Sequence, residues 1–300
     1  MSDIPSSHRP ELRRVLVAAL LVGALVLAGA LGLFAFAARS IDKIHKDAEI
    51  QLAWVGLQRM QERTLEDVQS ATVWNDAVAA FTRDDTSWMQ LNFSDYYTEY
   101  QHHDLTVAYR SDGRMVLASR AGEALPEAAR AEVEAATRPV VEAMQLKRVD
   151  GQGFEAAQSW TGMMKVDGVT YLTAASTVVP EDETVARPDR DPVVISMRNI
   201  SSMVDNFTRD LALEGTEDVA APRANPVGFP LVDTEGRRLG VLAWTPSRPG
   251  AEVLRRARPL FIVLIGALIG GAVVLGVSLD RITRALEQNQ RDLSDARDRA

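Results

Sequence analysis

Residues Leu260–Leu279 read LFIVLIGALIGGAVVLGVSL, 20 in a row with no charged group. At 1.5 Å of rise per residue such a helix crosses the hydrocarbon core of a bilayer, and a core helix in water would keep a polar face. The fold must therefore accommodate a membrane. The polar stretch that follows keeps a helical period: Leu279, Leu286, Leu293 and Ala300 recur every seven residues, with Ile282, Asn289 and Ala296 between them. This pattern is a heptad seam with one polar position, Asn289, of the kind that sets register and strand number. Neither Pro nor Gly separates the apolar run from the seam. Movement of one is expected to reach the other, so 280–300 reads as a signalling coiled-coil helix whose seam is Leu279, Ile282, Leu286, Asn289 and Leu293.

A second apolar run, Val15–Ala38, has 24 residues and follows Arg9, Arg13 and Arg14. The apolar core of a signal peptide spans roughly 7 to 15 residues, so an uncleaved anchor is expected. The competing reading is a cleaved signal peptide, with Ala35-Phe36-Ala37 as its processing site. Lys and Arg near the ends of the runs number three before and three after the first, then four before and three after the second. Positive charge thus does not decide orientation. Two spans put both termini on one side, and a long polar segment can be translocated whatever its charge. The expected organisation is a cytoplasmic tail at 1–14, transmembrane helices at 15–38 and 259–279, an outer domain at 39–258 and the cytoplasmic helix at 280–300. Ala24, Ala28 and Gly32 in one run, and Gly266 and Gly270 in the other, lie at the spacing that lets helices approach closely in lipid. The general richness of membrane helices in Gly and Ala is the plainer account.

The net charge of −8 offers no concentrated basic face, which argues against a nucleic-acid partner. With no cysteine and four histidines, neither a disulfide framework nor a thiolate site can form, and no metal or other cofactor is expected. Between the runs, Ser40 to about Thr82 contains no proline and one glycine, Gly56, which predicts a long helix. Asp67, Ala71, Trp74, Val78 and Phe81 would share one of its faces, with Asn75 alongside. Asp76 would lie far around the helix, so that it lines a pocket with Trp74 only where the helix is distorted or has a partner on each side. Thr86–Tyr100 is crowded with Trp88, Phe93, Tyr96, Tyr97 and Tyr100, with Asn92 among them.

Three pairs of β-forming runs then flank turn signals. Leu105–Tyr109 and Met115–Ser119 enclose Ser-Asp-Gly-Arg, Trp160–Val166 and Val169–Val178 enclose Asp167-Gly168, and Gly228–Val232 and Arg238–Trp244 enclose Thr-Glu-Gly. With Val193–Met197 they predict an antiparallel sheet. Helices are expected over Pro126–Lys147 and Ile200–Leu213, and a polar, Pro-rich loop over Pro180–Pro192. The fold class is α+β, one or two small sheets flanked by helices.

The run Asp67...Val73-Trp74-Asn75-Asp76-Ala77, followed by Trp88, Asn92 and the hairpin Asp104...Tyr109-Arg110-Ser111-Asp112-Gly113-Arg114-Met115-Val116, resembles the fourth class of CHASE extracellular sensory domains. Gly240-Val241-Leu242-Ala243-Trp244-Thr245-Pro246, then Arg248-Pro249-Gly250, is similar to the juxtamembrane end of such sensors in bacterial cyclic-di-GMP enzymes. The resemblance covers about 40–300. It implies a periplasmic input module with a PAS/Cache-like antiparallel sheet and a long N-terminal helix. Such modules are fused through a signalling helix to a diguanylate cyclase, a phosphodiesterase or a histidine kinase. The sequence in hand ends at Ala300 in mid-heptad without such an enzyme, as a fragment or a receptor lacking its own catalytic domain would.

The expected ligand-binding residues are Asp67, Trp74, Asn75, Asp76, Trp88, Asn92 and Tyr97. Trp74 serves equally as a core anchor, with Asn75 and Asp76 capping or holding a neighbouring loop, and the aromatic cluster serves equally as core. His102, His103 and Asp104 sit at a strand entrance where neighbours face opposite ways, and no fourth metal ligand is evident. Gly151-Gln-Gly153 lacks the strand and the Lys-Ser/Thr of a phosphate loop. Nothing in the sequence orders a nucleophilic triad. The triplets starting at Asn92, Asn199 and Asn206 match glycosylation acceptors by coincidence, and Arg255, Arg256 and Arg258 are placed among lipid headgroups. The reading is a homodimeric sensor of the bacterial inner membrane, multi-pass, with a small molecule or a periplasmic protein as its signal. The rival is a membrane-anchored scaffold that binds a periplasmic partner and carries no signal.

Overall fold

The computed structural model describes residues 8–211, 213, 217–219 and 227–298. The chain divides into two units, Lys46–Pro246 and the flanking segments 1–45 and 247–300.

Within Lys46–Pro246 the main sheet has six antiparallel strands: β1 (Leu105–Tyr109), β2 (Met115–Arg120), β3 (Glu123–Ala124), β4 (Ser159–Val166), β5 (Val169–Thr177) and β6 (Val193–Asn199). Their order is β3-β2-β1-β6-β5-β4. The last strand of this sheet in the sequence thus pairs with the first at the centre, as in PAS-type sheets. The β4–β5 turn explains one part of this topology locally. Asp167 and Gly168 have φ of 52° and 74°, the left-handed pair that a two-residue hairpin needs.

The two faces of the sheet are covered differently. Leu105, Val107 and Tyr109 of β1 point with Ile195 and Met197 toward α5 (Glu127–Gln145), which buries Val133, Val141 and Met144 against them. The alternate residues face the helices that come first in the chain. These are α1 (His8–Thr72), α2 (Asn75–Arg83), α3 (Thr86–Met89), a π-helical turn at Gln90–Asp95 and α4 (Tyr96–Glu99). Phe81, Phe93 and Tyr97 pack there on Ala108, Leu117 and Val194. Because both faces are covered, all five residues of β1 are buried despite their alternation.

One expectation changes. The helix foreseen over Ser40–Thr82 stops at Thr72 and restarts at Asn75. Val73 bridges to Val179 in parallel, Trp74 N–H donates to the Val179 carbonyl at 3.2 Å, and Val179 N–H donates to the Thr72 carbonyl at 3.1 Å. No proline or glycine marks the break. Pairing with the chain leaving β5 outweighs helical propensity at two β-branched residues. The shared face of Asp67, Ala71, Trp74, Val78 and Phe81 is therefore interrupted, and Trp74 turns outward.

Of the one or two sheets expected, two form, and the third hairpin lies in the smaller one. With β7 (Glu217–Val219), strands β8 (Val227–Val232) and β9 (Arg238–Trp244) form a separate sheet in the order β7-β9-β8. Its Leu231, Leu242 and Trp244 share a core with Ala53 and Leu57 of α1 and with Met163 and Leu172. Trp244 satisfies its indole by donating to Glu49 at 3.0 Å. The remaining helices are α6 (Gly153–Ala156) and α7 (Ile200–Asp210).

In the flanking segments, the first part of α1 runs beside α8 (Pro249–Asp298). Both are long and apolar enough to cross a membrane, with 18-residue windows of mean hydropathy 2.6 and 2.8 and nothing in those windows buried. The Asp42 carboxylate accepts from the N–H groups of Gly250 (2.7 Å) and Ala251 (3.4 Å), capping the start of α8. A Cβ at Gly250 would lie 1.9 Å from the Ala38 carbonyl oxygen, so only glycine fits this crossing. A Cβ added at Gly32, Gly266 or Gly270 would meet nothing within 4 Å, whereas Gly250 lies at a close approach of the two helices. Phe34 and Phe261 meet edge-on at 5.2 Å. The seam positions Leu279, Ile282, Leu286, Asn289 and Leu293 lie on α8; the side chains of Leu286 and Leu293, and Ala300, fall outside the described residues.

Candidate functional site

The residues singled out by sequence fall into two groups about the break in the helix. The first is outward. Trp74, 37% exposed, lies against Trp88 at 5.3 Å, and Trp88 meets Phe93 edge-on at 5.5 Å. Asn92 donates to the Trp88 carbonyl at 2.9 Å and so holds the helical turn beneath that ring. Asp76 is exposed in the first turn of α2. Asn75 reaches across to the 180–192 loop: its Nδ2 donates to Asp182 Oδ1 (3.0 Å) and Thr184 Oγ1 (3.1 Å), and its Oδ1 accepts from Glu181 N–H (2.9 Å). Hydrogen bonds from the Thr184 hydroxyl and N–H, and from Asn75, hold the Asp182 carboxyl below its ordinary range.

The second group is buried between α1 and the sheet. Asp67 accepts from Arg198 Nη2 at 2.5 Å and meets His103 Nε2 at 3.4 Å. His103 Nδ1 bonds Ser196 Oγ at 2.7 Å, and Ser196 bonds Thr106 Oγ1 at 3.0 Å. The imidazole stacks on Tyr97 at 5.4 Å, and the Tyr97 hydroxyl donates to the Val68 carbonyl of α1 at 2.8 Å. Burial lowers the His103 pKa, against the opposing bond to Asp67, and pushes the Tyr97 hydroxyl well above its usual range. Asp67 and Tyr97 thus come together, but apart from Trp74, Asn75 and Asp76.

A cleft of about 270 Å³ opens where α2, the β1–β2 turn and the 180–192 loop meet, lined by Val78, Phe81, Thr82, Arg110, Ser111, Asp112, Pro188 and Pro192. Each wall is tied down. Asn75 fixes the start of the loop, and a buried pair fixes its end, with Arg187 donating to Asp191 Oδ1 at 2.7 Å and to the Val149 carbonyl at 2.7 Å. The Gln145 amide of α5 donates to the carbonyls of Arg110 (2.8 Å) and Asp191 (3.2 Å), joining turn to loop. Such a cleft is shaped before any ligand arrives.

Sequence reasoning did not single out Arg198 or Ser196, which make the buried cluster, nor Arg110 and Asp112 as cleft residues. In the sequence His103 reads only as a metal-ligand candidate. One signal was available: Arg198 follows the mostly apolar run Val193–Met197 in its strand and needs an acidic partner once buried.

A PAS-type sheet between a long leading helix and a closing helix, both long and apolar enough to span a bilayer, defines the class of extracytoplasmic sensory modules. The CHASE4 domain matches residues 56–216, more than half of the chain, and the chain belongs to that family. Its outer segment is accordingly an extracytoplasmic sensor domain. Two solved structures of the LuxQ periplasmic domain from Vibrio cholerae, one with selenomethionine, are similar to 69% and 68% of this chain and to 99% of their own. Their identity is 11% and their TM-scores are 0.42 and 0.41. No curated protein matches.

Proposed function

We infer that the chain is a multi-pass receptor of the bacterial inner membrane, paired as a homodimer, whose CHASE4 segment lies in the periplasm and receives a small molecule or a partner protein. Its signal passes through α8 to the seam Leu279, Ile282, Leu286, Asn289 and Leu293, and from there to a cytoplasmic output, with cyclic-di-GMP turnover as the first candidate. The observation that carries this reading is a sensory fold held at both ends by helices with the length and hydropathy of membrane spans. A stimulus acts in such a receptor only by binding two of its conformations unequally. Asp67, Trp74, Asn75, Asp76, Trp88, Asn92 and Tyr97 divide the work: the outward group shapes the input surface, and the buried group ties α1 to the sheet.

The test is an exchange of residues 39–258 for an unrelated dimeric domain, with cyclic di-GMP measured in cells. Loss of stimulus dependence is expected; a response that survives the exchange overturns the reading. Cysteines placed singly at Asp112 and Asp292 of this cysteine-free chain check orientation. An impermeant reagent should label the first in intact cells, and labelling of only the second would refute a periplasmic head.

A further inference from the structure

The cleft between α2, the β1–β2 turn and the 180–192 loop has a chemistry more specific than its size. Its volume of about 270 Å³ lies under the ~300 to 1,000 Å³ typical of drug-sized ligands, so it suits a small metabolite. Its apolar walls are Val78, Phe81, Pro188 and Pro192, and its charged lining consists of one cation and one anion, Arg110 and Asp112, two residues apart on the same turn.

Both charges keep bonding capacity. Arg110 engages Asp84 through Nη1, which holds the guanidinium in place; Nε and Nη2 make no hydrogen bond among the described residues. Asp112 gives Oδ1 to the Arg114 N–H at 2.9 Å, and its Oδ2 makes none among them. A guanidinium edge matches a carboxylate, and a carboxylate oxygen accepts from an ammonium. A ligand carrying only one charge would face an opposing like charge close by, whereas a ligand carrying both meets two complementary partners. The proline and phenylalanine walls then take its apolar part.

We propose that this cleft binds a zwitterionic α-amino acid with an apolar side chain, its carboxylate on Arg110, its ammonium on Asp112 and its side chain against Phe81, Pro188 and Pro192. The site follows from this geometry; its role as the input of the receptor rests on the reading above.

The test uses the full chain in lipid nanodiscs, with L-leucine and L-valine as probes and calorimetric titration as the readout. Isoamylamine, which lacks the carboxylate, and 4-methylpentanoate, which lacks the ammonium, are the single-ended controls. At least one amino acid should bind, both controls should bind at least about tenfold more weakly, and Arg110→Gln and Asp112→Asn should each weaken binding by about tenfold. Asp112→Asn keeps the oxygen that caps Arg114, so it carries the test by itself if the arginine variant is misfolded. No binding by either amino acid, equal binding of a single-ended control, or unchanged affinity in Asp112→Asn overturns the proposal. The domain exchange described above is unaffected by any of these results. Conversely, binding that leaves cellular cyclic di-GMP unaltered would preserve the site and remove its role as input.

Discussion

Asp67→Asn tests whether the buried cluster fastens α1 to the sheet. The side chains of Asp67 and Arg198 are 11% and 15% exposed, and the guanidinium has a buried Nε with no partner, so it depends on that carboxylate. The isosteric amide removes the charge and leaves the cation where it is. Breaking a fully buried pair costs about 3–5 kcal/mol; residual solvent access places this one at the low end, about 3 kcal/mol. For a unit the size of Lys46–Pro246, where each kcal/mol moves Tm by about 2–4 °C, the midpoint should fall by roughly 6–12 °C. All five tryptophans lie in that unit, so intrinsic fluorescence of the full chain in nanodiscs follows its unfolding directly. Arg198→Met, and the double variant, complete a cycle. Once both charges are gone, no ion is left stranded, and the double variant should lose at least about 1 kcal/mol less than the sum of the two singles. A loss under about 1 kcal/mol for Asp67→Asn, or additivity within about 0.5 kcal/mol, would refute the coupling.

Acid should weaken the same junction. The folded-state pKa of His103 lies below its ordinary value of about 6.5, so on acidification the unfolded chain takes up a proton before the native one does. The contribution is therefore present above about pH 6.5 and is lost as pH falls below it; Tm should drop between pH 7.5 and 5.5, and His103→Gln should drop less over the same interval. Asn75→Ala removes three hydrogen bonds at an exposed site, so it should cost about 1 kcal/mol while sharply raising amide exchange at 181–184; unchanged exchange there would refute its role as the tie of the loop. Gly250→Val places carbon against the Ala38 carbonyl, a backbone atom that cannot rotate away, and should part α1 from α8 at that level. Short-linker crosslinking of Phe34→Cys with Phe261→Cys should fall; an unchanged yield counts against the crossing.

The turns and strands were legible because their causes are local. Asp167-Gly168 announces a hairpin through the positive φ it tolerates, and the β-branched and aromatic residues of Leu105–Tyr109 and Val193–Met197 favour strands without tertiary information. The sheet order was not legible from these signals, since it depends on which strand edges meet, and so β8 and β9 were not separable from the main sheet. The break after Thr72 was hidden for the same reason: its cause is Val179, more than a hundred residues away. Of the site, Asn75 was visible as a polar residue beside an aromatic stripe, but its partners Glu181, Asp182 and Thr184 lie in a loop that composition marks only as polar. The cleft was out of reach, because Arg110 and Asp112 read as ordinary turn residues until Phe81 and Pro188 stand opposite them.

The junction between α1 and the sheet also bears on how such a domain could switch. Ser196 lies opposite Thr106 on one side and Ala174 on the other, so this face of the sheet centre is made of small residues, with Ser176 close by. A helix resting on small side chains meets few ridges, and apolar contact alone would let it slide. Directional bonds prevent this: Thr72 donates to Ser176 at 2.9 Å, Tyr97 donates to the Val68 carbonyl at 2.8 Å, and Asp67 engages Arg198 and His103. Displacing α1 by a fraction of a turn strands these groups in a buried setting, at about 1–3 kcal/mol each. Intermediate positions are therefore disfavoured relative to the present one, and to any other register that pairs the same groups again. A continuous push on the helix would then be answered by a discrete step, which is the property a two-state sensor requires.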